Sequence, residues 1–206
     1  MNDINIKNYI VEVVKNKRIV FLFTGDKGST LLMNLIYDIR DIEIKTIFID
    51  TGFHFNEILD YIKDVPYKIE IIRNNKATID SSVDMHKCCY QRKVETLKHY
   101  LSDVRADCLI VPFTDEEKKI GIEDSYLSGL QDIEIIRPLA NITERDIWKS
   151  IKENKMPLSK IYNMGYRVID CRPCTTRTGR RVPQDQVLSR EFDNETIEKL
   201  KSLGYM

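Results

Sequence analysis

Short apolar runs of strand length alternate with amphipathic stretches along most of this chain, and that alternation most limits its fold. Residues 18–23, 43–50, 67–73, 107–113 and 133–136 read as strands. Residues 29–39, 56–63, 90–101 and 143–154 read as helices. Val94, Leu97 and Leu101 share one face of the third helix, and Thr143 is the expected N-cap of the fourth. Strand–helix alternation predicts an α/β fold of Rossmann-like type, a parallel sheet with helices on both faces. Such sheets bind ligands at the carboxyl ends of their strands, near the switch in strand order. A chain of 206 residues suits one domain, with 1–160 as the α/β core and 161–206 as a C-terminal segment rich in cysteine and arginine.

Charge excludes some partners. Lys+Arg and Asp+Glu are both 32, so nothing global recruits nucleic acid or an anionic membrane. Any anion site must be local. The N-terminal stretch lacks the apolar core of a secretion signal, and no apolar run is long enough to span a membrane. The expected location is the cytoplasm, with no membrane partner.

Two loops that follow strands carry candidate binding residues. Thr24-Gly25-Asp26-Lys27-Gly28-Ser29 joins the first strand to a helix. Glycines and hydroxyls at a helix N-terminus offer backbone N–H groups to an anion, and Lys27 adds a point charge. The alternative is a tight turn capped by Ser29 or Thr30. The second loop, Asp50-Thr51-Gly52-Phe53-His54, puts a carboxylate where it can meet a ribose hydroxyl, and His54 within possible reach of phosphate. Its alternative is a plain Asp-Thr-Gly turn.

Five cysteines are present. Cys88 and Cys89 directly precede the third helix, whose N-terminus, with Lys87, Arg92 and Lys93, would favour thiolates. Cys171 and Cys174 form a Cys-Arg-Pro-Cys pair. Four thiolates in two pairs can close a tetrahedral zinc site or a cubane iron–sulfur site. The adjacent Cys88-Cys89 pair is awkward for a zinc knuckle, which favours the cubane. Cys108 lies in an apolar strand and reads as a buried small hydrophobe. Around the second pair gather Arg167, Arg172, Arg177, Arg180, Arg181 and Arg190, a local positive field suited to phosphate or sulfate.

Taken together, these residues resemble the sulfonucleotide (APS/PAPS) reductase family, within the PP-loop adenine nucleotide α-hydrolase-like superfamily. Residues 24–29 stand where that family has Ser-Gly-Gly-Lys-Asp-Ser, and 48–57 resemble its Asp-Thr-Gly-Tyr-His-Phe-Pro-Glu segment. Cys88-Cys89-Tyr90-Gln91-Arg92-Lys93-Val94 is similar to its Cys-Cys-x-x-Arg-Lys-Val segment. Arg137-Pro138-Leu139, Trp148, Gly165-Tyr166 and the second cysteine pair continue in register. The resemblance implies a [4Fe-4S] cluster on Cys88, Cys89, Cys171 and Cys174. It implies an adenine nucleotide held by Thr24, Gly25, Asp26, Lys27, Gly28, Ser29, Asp50, Thr51, Gly52, Arg177, Arg180 and Arg181.

The sequence also departs from the family. Asp26 and Gly28 replace the family's glycine and aspartate. Residues 111–119 are acidic where family arginines are expected, and no cysteine follows Cys174 to act as the C-terminal nucleophile. Three functions are compatible with this. The first is a sulfonucleotide reductase-like enzyme served by an external thiol. The second is an ATP-dependent, adenylating sulfurtransferase, with Mg²⁺ held by Asp26 or Asp50 and sulfur supplied by a donor protein or by the cluster. The third is a non-catalytic nucleotide-binding iron–sulfur sensor. The sequence names neither catalytic residue nor oligomeric state, a homo-oligomer included.

Overall fold

The computed structural model describes residues 3–39, 42–73, 85–119, 121, 123–130 and 132–177. Five parallel strands form one sheet in the order β3-β2-β1-β4-β5. They are β1 (Ile19–Leu22), β2 (Ile44–Ile49), β3 (Glu70–Ile72), β4 (Cys108–Ile110) and β5 (Glu134–Ile136). The order reverses at β1, which pairs with β2 on one side and β4 on the other. A crevice at the carboxyl ends of β1 and β4 follows from that reversal.

Parallel strands covered on both faces need apolar side chains at every position, and Ile19-Val20-Phe21-Leu22 is fully buried. Phe21 and Phe23 point into one core layer with Phe48, Ile58, Ile110 and Ile147. Val20 and Leu22 point into the other, with Ile49, Leu97, Leu101, Leu109 and Tyr126. The first layer is covered by α1 (Asp3–Val13), α2 (Lys27–Tyr37), α3 (Asn56–Asp64) and α8 (Glu144–Glu153). The second is covered by α5 (Glu95–Asp103) and α7 (Asp124–Leu127). Two short helices, α4 (Met85–Cys89) and α6 (Asp115–Lys119), complete the set.

Thr143 caps α8 as expected, its side chain accepting from the Asp146 N–H. Three features differ from the sequence reading. The strands are shorter, because ladder pairing covers only part of each apolar run. Residues 3–13 form a helix that the pattern hid: Ile6 and Ile10 are buried, but Ile4 and Val11 face outward and blur the period. The helix expected from 90 begins at Met85 and passes through a π segment, Tyr90–Val94, before α5. Arg180, Arg181 and Arg190 lie outside the described residues. Among the described residues, no helix is long and apolar enough to cross a membrane.

Candidate active site at the strand ends

The loop after β1 turns through Gly25, whose φ is +78°, into α2. A Cβ there would lie 2.8 Å from Ile58 Cγ2, so glycine is required by both conformation and space. The residue that caps α2 is Asp26, not Ser29 or Thr30. Its Oδ1 accepts the Ser29 N–H at 2.7 Å, and its carbonyl takes both the Ser29 and Thr30 hydroxyls. A carboxylate capping a helix N-terminus satisfies the same groups that an anion would use. The Lys27 N–H donates to the Tyr162 hydroxyl at 2.6 Å. The Lys27 ammonium is buried, donates to the Arg167 carbonyl at 3.0 Å, and lies 3.5 Å from Glu144 Oε1. Thr24 Oγ1 is buried without a hydrogen-bond partner.

Acid surrounds this lysine. A cavity of about 200 Å³ is lined by Lys27, Thr114, Glu116, Glu117, Glu144 and Val168. Thr114 and Glu117 form a capping box at α6: Thr114 N–H donates to Glu117 Oε2 at 2.9 Å, and Glu117 N–H donates to Thr114 Oγ1 at 3.2 Å. Burial, then the Asp26 charge, pushes the Glu117 carboxyl up to about 7, against Lys27 and the Thr114 bonds. Arg137 is bound to Asp115 at 2.8 Å and to Glu123 at 2.8 Å.

The loop after β2 is pinned from two sides. Asp50 accepts the Gly52 N–H at 2.8 Å and is ion-paired to Arg73. Burial opposes ionisation here, but the Gly52 bond and Arg73 hold the carboxyl below its usual range. His54 is held against the end of β2. It hydrogen-bonds the Ile49 carbonyl oxygen at 2.9 Å and packs on Phe48.

The segments that carry the two cysteine pairs both contact this same loop. On one side the Arg92 guanidinium donates to the Thr51 carbonyl at 2.8 Å and lies over the Phe53 ring at 4.8 Å. On the other, the Arg172 N–H donates to the Phe53 carbonyl at 2.8 Å, and Thr51 Oγ1 lies 3.2 Å from Cys171 Sγ. The buried Lys93–Asp170 ion pair joins the two segments, and the charges of Cys89 and Cys171 both act on Lys93. Cys89 and Cys171 are buried; Cys88 and Cys174 are half-buried. Cys88 and Cys89 close α4 rather than precede a helix, so no free helix N-terminus faces them. Lys93 supplies the local positive charge instead.

Four thiols tethered to one loop suit an iron–sulfur group by donor chemistry. Among the described residues, no three His, Cys, Asp or Glu side chains already stand within one metal ion's reach. Ligation would therefore draw the two pairs together. Cys108 is a buried strand residue with its thiol pushed up to about 11, mainly by burial. Arg177 lies 5.9 Å over the Tyr166 ring.

Sequence reasoning missed Tyr162, Arg73, Glu144 and the Lys93–Asp170 link. The Thr114-x-x-Glu117 capping box was the one local signal available. The others depend on contacts between residues far apart in the chain.

Residues 18–177 match the phosphoadenosine phosphosulfate reductase domain family. The chain belongs to this family. Membership makes it a reductase-like enzyme in class. The adenosine 5′-phosphosulfate reductase of Oceanobacillus iheyensis is 28% identical over 169 residues, covering 74% of this chain and 69% of that protein. The phosphoadenylyl-sulfate reductase of Candida auris, solved as a phosphate complex, shares the fold with a TM-score of 0.68 and 16% identity. That match covers 85% of this chain and 91% of the fungal chain. The U34-tRNA thiolase of Methanococcus maripaludis, solved with its [4Fe-4S] cluster, matches with a TM-score of 0.54 and 14% identity over 76% of this chain and 64% of that one.

Proposed function

We propose that this chain is a [4Fe-4S] enzyme of sulfur metabolism that binds an adenylyl sulfate at its strand ends and uses a thiol from outside the chain. The observation that carries this reading is that the loop 51–53, next to the loop that begins α2, is contacted by Arg92 beside the first cysteine pair and by Cys171 and Arg172 of the second. Cys88, Cys89, Cys171 and Cys174 would hold the cluster. Bound there, it would supply a local electrostatic field beside the substrate. The reading places the protein in a reducing, cytoplasmic setting.

The remaining roles belong to side chains. Ionised Asp50, fixed by Arg73, would accept from a ribose hydroxyl, with Thr51 and Gly52 bordering the nucleoside. Thr24 Oγ1, buried and unpartnered, would donate to the phosphate or sulfate. Gly28 lets the helix start pass close to the Pro112 carbonyl, 3.0 Å from where a Cβ would stand. Lys27 would exchange its Arg167 and Glu144 contacts for the anion, and Arg177, with Arg180 and Arg181, would meet its outer oxygens. An external thiolate then attacks the sulfate sulfur. The S–O bond to the nucleotide breaks, AMP leaves with that electron pair, and the thiol carries the sulfonate.

One observation favours a second reading. Asp26, Glu116, Glu117 and Glu144 crowd Lys27, and Arg137 is consumed by Asp115 and Glu123. Carboxylates repel a bare sulfonucleotide but can share a divalent cation with ATP. An ATP-dependent sulfurtransferase would use Mg²⁺ there and release pyrophosphate. Incubating anaerobic, cluster-loaded protein with adenosine 5′-phosphosulfate and a small dithiol separates the two. Thiol-dependent AMP release supports the reductase reading. Its absence, with pyrophosphate released from ATP–Mg²⁺, overturns it.

A further inference from the structure

On the outer side of the α8 N-terminus a larger cavity, about 510 Å³, opens between α8 and residues 162–167. Its lining differs in kind from the acidic cavity beside Lys27. Trp148 and Tyr162 meet edge to face, 5.1 Å apart with planes at 85°. Tyr166, backed by Phe55 at 5.0 Å, supplies a third ring. All three are half-buried. Arg145 and Arg167 also line the cavity, are exposed, and have no side-chain partner among the described residues. The one acid in the lining, Glu144, is already engaged: its Oε1 accepts the Trp148 indole N–H at 3.2 Å and lies 3.5 Å from the Lys27 ammonium. The cavity therefore presents aromatic walls, with the Arg177 guanidinium also 5.9 Å over the Tyr166 ring, and two guanidinium forks without a side-chain partner among the described residues.

Aromatic faces retain a planar ring, and paired guanidiniums recognise a phosphate dianion. We infer that this cavity is a second ligand site, separate from the strand-end loops, for a nucleotide unit whose base lies against the Trp148–Tyr166 walls and whose phosphate meets Arg145 and Arg167. The unit is either a free mononucleotide or an unpaired nucleotide of an RNA strand; the recognising chemistry is the same. Glu144 connects the site to α2, because one carboxylate oxygen serves both Trp148 and Lys27.

Trp148 is the chain's only tryptophan, so its fluorescence reports this cavity directly. The whole protein is titrated with uridine 5′-monophosphate, uridine, inorganic phosphate and a short single-stranded oligouridylate. Uracil probes keep the test apart from the adenine-nucleotide reading, so either can fail alone. A saturable emission change with the monophosphate is expected, weaker by about tenfold for uridine or phosphate alone. The double variant Arg145→Gln/Arg167→Gln weakens it by about tenfold, and Tyr166→Leu weakens it independently. Both arginines are exposed, so unfolding curves of the double variant should match the parent. Tighter binding of the oligouridylate identifies an RNA strand as the source, and equal affinity identifies a free nucleotide. An unchanged Trp148 emission with both, a double variant that titrates like the parent, or phosphate binding as tightly as the nucleotide overturns the inference.

Discussion

Glu117 shows how one side chain can tune the site. Its carboxyl is pushed up to about 7, first by burial and then by Asp26. The folded chain holds this proton more tightly than the unfolded chain does. Protonation therefore adds stability as pH falls from about 7 toward the ordinary glutamate range near 4, and it removes a negative charge beside Lys27. Affinity for an anionic nucleotide should rise as pH falls through about 7. Glu117→Gln, which keeps the capping box, should flatten that dependence and bind more tightly at alkaline pH; calorimetric titrations across neutral pH check it. At the cysteines, Cys174→Ser should lose most iron and sulfide, measured by chemical assay after anaerobic preparation. Cys108→Ala should retain both, at a cost in stability of about 1 kcal/mol for a small buried side chain. The burial of Cys108 was legible in the sequence from its apolar strand. The raised Glu117 carboxyl was not, since it depends first on burial in the folded chain and then on Asp26, which lies far away in the sequence.

The decisive element is the β1–α2 junction. Gly25→Ala combines a left-handed backbone with a contact 2.8 Å from Ile58, so it should destabilise the chain by about 2 kcal/mol in urea unfolding. No change would mean that the loop relaxes and that Gly25 serves something other than the turn. Strands and long helices were legible because burial on both faces forces continuous apolar runs, and because Thr143 marks its helix start. The π segment was not. Extra residues in a turn leave no periodic trace, yet this one carries Arg92 and Lys93 into the buried contacts that hold the cysteine segments. The α2 cap was misread for a related reason. Ser29 and Thr30 are good caps in isolation, but their hydroxyls bond back to Asp26, one turn earlier.

Across the whole molecule, the reversal of strand order at β1 brings four loops to one edge, and the Lys93–Asp170 pair ties distant segments beneath it. Side-chain exposures of 1% and 4% leave that pair little solvent. Lys93→Met strands a buried carboxylate and should cost about 3–5 kcal/mol, read from urea unfolding. A loss below about 1 kcal/mol would mean that Asp170 finds solvent or another partner. The parallel sheet was readable from alternation alone, and the neutral net charge sent the search to local clusters. A site shared by the two cysteine pairs was suggested by the thiols themselves, but the contacts of their segments with Thr51–Phe53 were not, because no local pattern encodes contacts across 41 and 120 residues. The most direct test of the account is equilibrium binding of adenosine 5′-phosphosulfate, its 3′-phosphorylated form and ATP–Mg²⁺ to anaerobic, cluster-loaded protein. The account predicts saturable binding of a sulfonucleotide, about tenfold tighter than ATP–Mg²⁺ and lost in Asp50→Ala. Failure of all three nucleotides to bind would contradict it.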